Sequence, residues 1–330
     1  MRGMNWRIGL LCLFCTLCLF CAPFIGAGMI SPAEIFNAQS PDYLIFWRLR
    51  LPRSLAAFLA GAGLSLCGLV FQAMFRNPLA TPFTLGISSG AALGAAIFLR
   101  LGWAATFLGM AGSLVCALAG CFLSMLMVYG ITRARGGFST AVMLLAGVII
   151  NFFFASLVMF VQYISNAQDA AQIMRWLMGT LSGIDPAKLW EMAAAVCAGL
   201  WIFARMGPEL DLLLTGEELA ASRGVDVEKV KLSIFVTASI VVGVIVSITG
   251  PIGFVGMMVP QICRLMLGHA HALLVPAAFF LGGGFLAACD VLARSVLAPA
   301  ELPVGILTAM SGAPFFLWML FRGNKAGEVD

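Results

Sequence analysis

The sequence predicts an all-α, polytopic membrane protein of about ten transmembrane helices, built as one transmembrane domain. Three observations carry that prediction. Of 330 residues, 62% are hydrophobic and only 10% are charged, against about a quarter charged in soluble domains. Mean hydropathy is +1.02. Apolar segments close to the ~20 residues needed to cross a bilayer recur along the whole chain. The short alternating segments of a transmembrane barrel are absent, and lipid obliges each segment to close its own backbone hydrogen bonds as a helix.

The spans fall at roughly 7–27, 50–74, 83–101, 103–131, 139–163, 186–206, 230–250, 252–267, 272–293 and 303–322. The first, "IGLLCLFCTLCLFCAPFIGAG", carries Cys12, Cys15, Cys18 and Cys21 at every third position. That spacing resembles an iron–sulfur run, but on a helix it makes a drifting stripe rather than a cage, so these cysteines read as membrane packing. Arg2 and Arg7 before it imitate a leader peptide; the segment is read as the first span. The third span holds Gly86, Gly90 and Gly94, two overlapping small-residue steps suited to close helix packing. The eighth is short and contains Pro260, which suggests a broken or partly re-entrant helix.

Two connectors are long. "QYISNAQDAAQIMRWLMGTLSGIDPAK" contains a mildly amphipathic stretch suited to the membrane surface. "RMGPELDLLLTGEELAASRGVDVEKVK" predicts a short helix from about Gly216 to Arg223. Thr215 and Glu218 match a capping box, and Gly224 is placed to stop the helix. Alternating the ten spans with both termini inside leaves twelve Lys and Arg inside and seven outside, as the positive-inside rule favours. Arg48, Arg50 and Arg53 fall outside, against that rule. At an offset of 182, Gly61 matches Gly243, Ser65 matches Ser247, Gly68 matches Gly250 and Pro78 matches Pro260. Span two thus pairs with span seven, running oppositely, as two inverted five-helix halves (roughly 1–165 and 186–325) require.

Catalytic machinery is missing. None of the four lysines follows a glycine, so there is no phosphate-binding loop. Neither a zinc-protease nor a nucleophile-elbow motif is present. With two histidines and no basic stripe, a histidine-rich metal site and nucleic acid are both disfavoured. Asp290, with Arg294 one turn on, is the clearest intramembrane acid. It keeps open an ion-coupled secondary transporter, although a pair at that spacing can neutralise itself.

The stretches "RLPRSLAAFLAGAGLSLCGLVFQAMFRNPLATPFTLGISSGAALGA", "TGPIGFVGMMVPQICRLMLG" and "ACDVLARSVLAPAELPVGILTAMSGAPFFLWML" resemble, in order and over nearly the whole chain, the signatures of the FecCD family. Its members are permeases of type II ATP-binding-cassette importers for vitamin B12, haem and ferric siderophores. The resemblance implies a homodimer in the bacterial inner membrane, with two ATPase subunits holding ATP and Mg on their side and a periplasmic binding protein feeding it. This chain would be a transport subunit without catalytic residues, cofactor or metal of its own. By the same resemblance, Arg50, Arg53 and Arg294 meet carboxylates of the binding protein, for which a planar guanidinium is suited. Thr215, Gly216, Glu217, Glu218, Ala221, Arg223 and Gly224 form the ATPase-coupling element. Ser139 and Thr140 lie at the cytoplasmic gate, and Asn151, Phe152 and Met310 lie on the translocation path.

Overall fold

The computed structural model describes residues 13, 15–26, 31–102, 106–107, 110–135, 139–298 and 300–324; Arg2, Arg7, Cys12 and Lys325 of the sequence reading lie outside them. The helices are α1 (Cys15–Phe24), α2 (Pro41–Phe75), α3 (Ile87–Leu101), α4 (Gly112–Ala134), α5 (Thr140–Ile164), α6 (Ala167–Leu177), α7 (Pro186–Arg205), α8 (Gly207–Thr215), α9 (Glu217–Ser222), α10 (Val227–Thr249), α11 (Val255–Leu267), α12 (His271–Ser295) and α13 (Val304–Asn324). Among the described residues, the sole β pairing is a two-residue antiparallel ladder, Thr106–Phe107 with Met110–Ala111.

Six helices, α2, α4, α5, α7, α10 and α12, are long and apolar enough to cross a membrane. Four shorter apolar helices, α1, α3, α11 and Val304–Met319 of α13, bring the set to the ten expected spans in the expected order. α2 starts nine residues earlier than hydropathy placed it, because Ser40 caps it by accepting the Asp42 N–H, with Pro41 in the first turn. Pro52 then deprives the helix of an N–H. Just before it, the ladder has slipped into a π turn over Ile45–Arg50, in which the Leu51 N–H bonds the Phe46 carbonyl.

α3 and α11 are short for the same reason: each is preceded by irregular chain that enters the bundle. The segment after Arg76 reaches Gly86, which lies against Ile150 and Asn151 near the middle of α5. The segment after Gly250 enters from the other end of the bundle and brings Gly256 onto Gly68 of α2. Non-helical backbone at this depth must find its partners within the protein. Gln261 donates to the carbonyl of Pro78 and Ser124 to that of Gly86, while Gln72 donates to the carbonyls of Gly256 and Met257 in the first turn of α11, where Pro260 has no N–H to offer Gly256. The irregularity foreseen in the eighth span is therefore real, but it lies at 250–254. Pro260 sits inside an unbroken α11.

Glycine seams let the backbones touch. A Cβ on Gly68 would run into the carbonyl of Gly256, and one on Gly61 into that of Gly282; Gly90 and Gly94 meet Gly120 and Cys116 in the same way. Gly61 therefore seats the second span on the ninth. Its offset partner Gly243 faces Cys121, seating the seventh span on the fourth.

The connector helix α6 departs from expectation. It does not lie free along a lipid surface: Ile173 is buried, the Trp176 carbonyl abuts Gly250, and the Thr180 N–H bonds the Thr249 carbonyl at 2.8 Å. Ile173 and its apolar neighbours pack against α3 and α5.

Candidate functional site

Polar side chains concentrate at the two ends of α2. At the Arg53 end, the Arg53 guanidinium donates from Nε to Asp290 Oδ1 and from Nη1 to Glu301 Oε2, both at 2.8 Å. Ser182 holds the same Glu301 oxygen at 2.9 Å. Arg294 lies 3.3 Å from Asp290 Oδ2 and donates to the Ala22 carbonyl and the Ser54 hydroxyl. Burial alone would push the Glu301 carboxyl up, but the hydrogen bonds from Arg53 and Ser182 and the nearby arginine charges outweigh it and hold it below the usual glutamate range.

This geometry divides the three arginines expected to face a partner. Arg50 is half-buried and donates to the Phe24 carbonyl at 3.1 Å. Arg53 is 12% exposed and already carries two carboxylates. Arg294 is only 4% exposed, which corrects its expected place on the rim: it is enclosed by α1, α2 and α12 and braces Asp290. The Asp290–Arg294 pair foreseen as self-neutralising exists, with Arg53 as a third member.

At the Arg76 end, α8 closes on Leu213, and Gly216 (φ +125°) turns the chain into α9. The expected capping box does not form. Thr215 belongs to the last turn of α8 and donates back to the Leu212 carbonyl, so it cannot cap α9. The predicted stop does form. Gly224 has φ +88°, its N–H bonds Ala221, and the Val225 N–H bonds Ala220, which is a Schellman closure. Ala220 is buried, whereas Glu218, Leu219, Ala221, Ser222, Arg223 and Gly224 are exposed.

Glu217 turns inward. Its Oε1 accepts from the Thr140 hydroxyl at 2.7 Å, and its Oε2 lies 2.6 Å from Lys231 Nζ. The same ammonium donates to Thr140 Oγ1 at 3.1 Å. Lys231 is 1% exposed, so Glu217 is the counter-charge to an ammonium closed off from water. Burial acts on Glu217 to raise its pKa, but Lys231, Thr140 and the charge of Arg76 prevail and hold it low. One carboxylate thus joins α9 to the first residue of α5 and the first turns of α10. The structure brings together Thr140 and Glu217, which the sequence reading kept in separate roles, and adds Lys231 and Arg76, which it missed. Ser139 precedes α5 and makes no side-chain cap.

Between the ends runs an apolar groove flanked by α5 and α13. It consists of three cavities of about 290, 350 and 440 Å³, all sharing Phe83. The entering segments 81–84 and 253–257 meet in the first. Asn151 lines the second and Met310 the third. Phe152 lies on an exposed face of α5 and lines none of the three.

Comparison with known proteins agrees with this architecture. The profile of the FecCD transport family matches residues 12–322. The vitamin B12 import system permease protein BtuC of Klebsiella pneumoniae subsp. pneumoniae is 38% identical over 99% of this chain and 96% of its own length. The BtuC of Citrobacter koseri is 36% identical, covering 98% of this chain and 96% of its own. Among solved structures, an inward-facing metal-chelate type ABC transporter superposes with a TM-score of 0.84 at 28% identity, covering 97% of this chain and 99% of that one. PsaBC from Streptococcus pneumoniae, in complex with Fab, shares the fold at a TM-score of 0.55 and 17% identity, over 81% of this chain and 89% of its own. A family match from near one end of the chain to near the other, with relatives of the same length and helical order, makes this multi-pass membrane protein a member of the FecCD transport family.

Proposed function

We propose that this chain is the membrane subunit of an ATP-driven importer in the bacterial inner membrane, carrying a corrinoid or a similar metal chelate into the cytoplasm. It works as a homodimer, with one ATPase subunit beneath each copy and a periplasmic binding protein above. ATP and Mg bind to those ATPases, and this chain performs no catalysis. The full-length relatives named as vitamin B12 import permeases support the corrinoid choice over haem or a ferric siderophore. Both termini and the Arg76 end face the cytoplasm, consistent with the excess of basic residues on that side.

One observation carries the coupling: Glu217 ties the exposed helix α9 to Thr140 at the base of α5, and α5 flanks the groove. An ATPase that moves α9 drags the base of α5 with it. Arg76 adds support. It holds a left-handed φ of +49° at the end of α2, where glycine is the comfortable residue, and its charge acts on Glu217. Such strain persists where a side chain is needed. At the outer end, Arg50 and the Arg53–Glu301 pair form the docking rim for the binding protein.

The ion-coupled alternative needs an available intramembrane acid. Asp290 is engaged by Arg53 and Arg294, which weighs against it. The test is Ala221→Pro in α9, since proline breaks a helix interior. With the complete importer in proteoliposomes, ATP hydrolysis is expected to continue while uptake falls to background. Normal uptake in this variant would remove the coupling role, and uptake by the permease without its ATPases would remove the importer reading.

A further inference from the structure

The groove is apolar almost throughout, and its exceptions are concentrated. The cavity of about 350 Å³ between α3, α5 and the end of α6 is lined by Ser88, Ser89, Asn151 and Gln162 among aliphatic and aromatic side chains, and of these Ser89 is already bonded to the Gly86 carbonyl. The Ser88 hydroxyl, on a residue 4% exposed, has no hydrogen-bond partner in the protein. Neither the Asn151 nor the Gln162 carboxamide is engaged by a described residue. Buried polar groups are normally satisfied; the Ser88 hydroxyl is not, and the half-buried Asn151 and Gln162 carboxamides open on the same cavity, which marks a place where something else supplies the partners.

The chemistry of that partner follows from what is absent. Among the described residues, no Asp, Glu, Lys, Arg or His lines this cavity or the two continuous with it. A carboxylate entering here would shed water without meeting a counter-charge, which is strongly disfavoured. A carboxamide presents a donor and an acceptor side by side, as Asn and Gln do, and the hydroxyl can serve either role. A carboxylate could accept from both NH₂ groups and the hydroxyl but would meet no counter-charge and would leave the two amide oxygens unused, whereas an uncharged carboxamide engages donors and acceptors alike.

We propose that the Ser88–Asn151–Gln162 cavity is a transit station for uncharged carboxamide groups on the rim of the cargo, and that it favours amide-fringed chelates over carboxylate-fringed ones. The proposal rests on the importer reading and deepens it. The station delivers preference through neutral hydrogen bonds, weak enough for the cargo to leave.

The experiment compares two probes: cyanocobalamin, whose corrin carries primary amides, and a derivative with one of those amides hydrolysed to a carboxylate. Each is loaded to saturation on the binding protein, so that the binding protein's own preference cancels, and single-turnover delivery into proteoliposomes holding the complete importer is timed. The wild-type protein is expected to deliver the amide faster. Asn151→Leu and Gln162→Leu should slow amide delivery by roughly three- to tenfold, the worth of one neutral hydrogen bond, and shrink the ratio between probes. Gln162→Lys should invert that ratio, a readout that a merely structural role would not move. Equal rates for the two probes in the wild type, or a ratio unchanged in all three variants, would overturn the station. Equilibrium binding of both probes to the permease in nanodiscs separates the two readings. A binding ratio that shifts as stated, alongside uptake that ignores ATP, would sink the importer and leave the station standing.

Discussion

Arg53 and Arg76 stand near opposite ends of one helix, about 35 Å apart at 1.5 Å per residue, and the clusters around them are built differently. The outer cluster is enclosed and paired by charge, although Asp290 Oδ2 and Arg294 Nε and Nη1 lack hydrogen-bond partners among the described residues. Two arginines enclose Asp290, and Glu301 and Ser182 close the remaining face of Arg53. It binds α2 to α12, neighbours already locked by the Gly61–Gly282 seam, so it stiffens a joint that packing has made. The inner cluster has a single carboxylate reaching across three separate elements, with one buried lysine depending on it. α9 touches the bundle mainly through α8 and α10. Where packing is thin, the hydrogen bonds are the joint. On the proposed importer reading, a transporter driven from below needs a firm upper rim and a lower connection that follows its motor, and the two ends would divide that labour.

Removing one partner from each cluster sharpens the contrast. The largest effect is expected from Asp290→Ala, which strands the enclosed charge of Arg294 and half-frees Arg53. Breaking a buried ion pair costs about 3–5 kcal/mol, and thermal unfolding in detergent should show a loss of that order with little folded protein at 37 °C. Glu217→Gln should cost less, about 1–3 kcal/mol, because the glutamate side chain retains 35% of its exposure. It should nevertheless reduce uptake far more than stability. Adding Lys231→Met to Glu217→Gln should return the stability while leaving uptake impaired; recovery of both would mean that the inner cluster merely braces.

The inner cluster also has a pH signature. Glu217 is held below its ordinary value of 4.5 in the folded protein. Its contribution is therefore complete above that value and is lost as pH falls through the lower, folded one. The stability difference between wild type and Glu217→Gln should be flat near neutrality and shrink under acid conditions; a difference that grew on acidification would contradict the pairing. The smallest effect belongs to Glu301→Gln. Its ion pair with Arg53 is open to water on the glutamate side, so stability should change by less than about 1 kcal/mol. Association with the binding protein, measured by surface plasmon resonance, should strengthen as Arg53 is released to an incoming carboxylate. Weaker association would assign the docking role to Glu301 itself.

The contrast between the ends also explains what the sequence disclosed. Spans are local: twenty apolar residues announce themselves, and the ten were found in order. The stop at Gly224 was legible because a left-handed turn leaves a glycine in the text. The cap at Thr215 was misread because the four-residue pattern does not reveal that Gly216 swings the chain away first. Lys231 was invisible as a site residue, since it sits at the mouth of an apolar run and its partners lie 14 and 91 positions away. Arg294 was placed on the rim by the family resemblance, and only packing shows α1 and α2 folded over it. The entering segments before α3 and α11 were the hardest to see, because hydropathy does not distinguish a buried loop from a buried helix.

Those two segments have a consequence for how the molecule comes into being. Gln72, in the first half, satisfies the carbonyls at 256 and 257 where the second segment passes into α11; Gln261, in the second half, satisfies the carbonyl at 78 in the first. Each half is thus unfinished inside and completed by a glutamine on loan from the other. A nascent chain stalled midway would expose bare peptide groups to hydrocarbon, so maturation becomes a single late event that waits for synthesis to pass residue 261, and quality-control proteases would see every shorter product as unassembled.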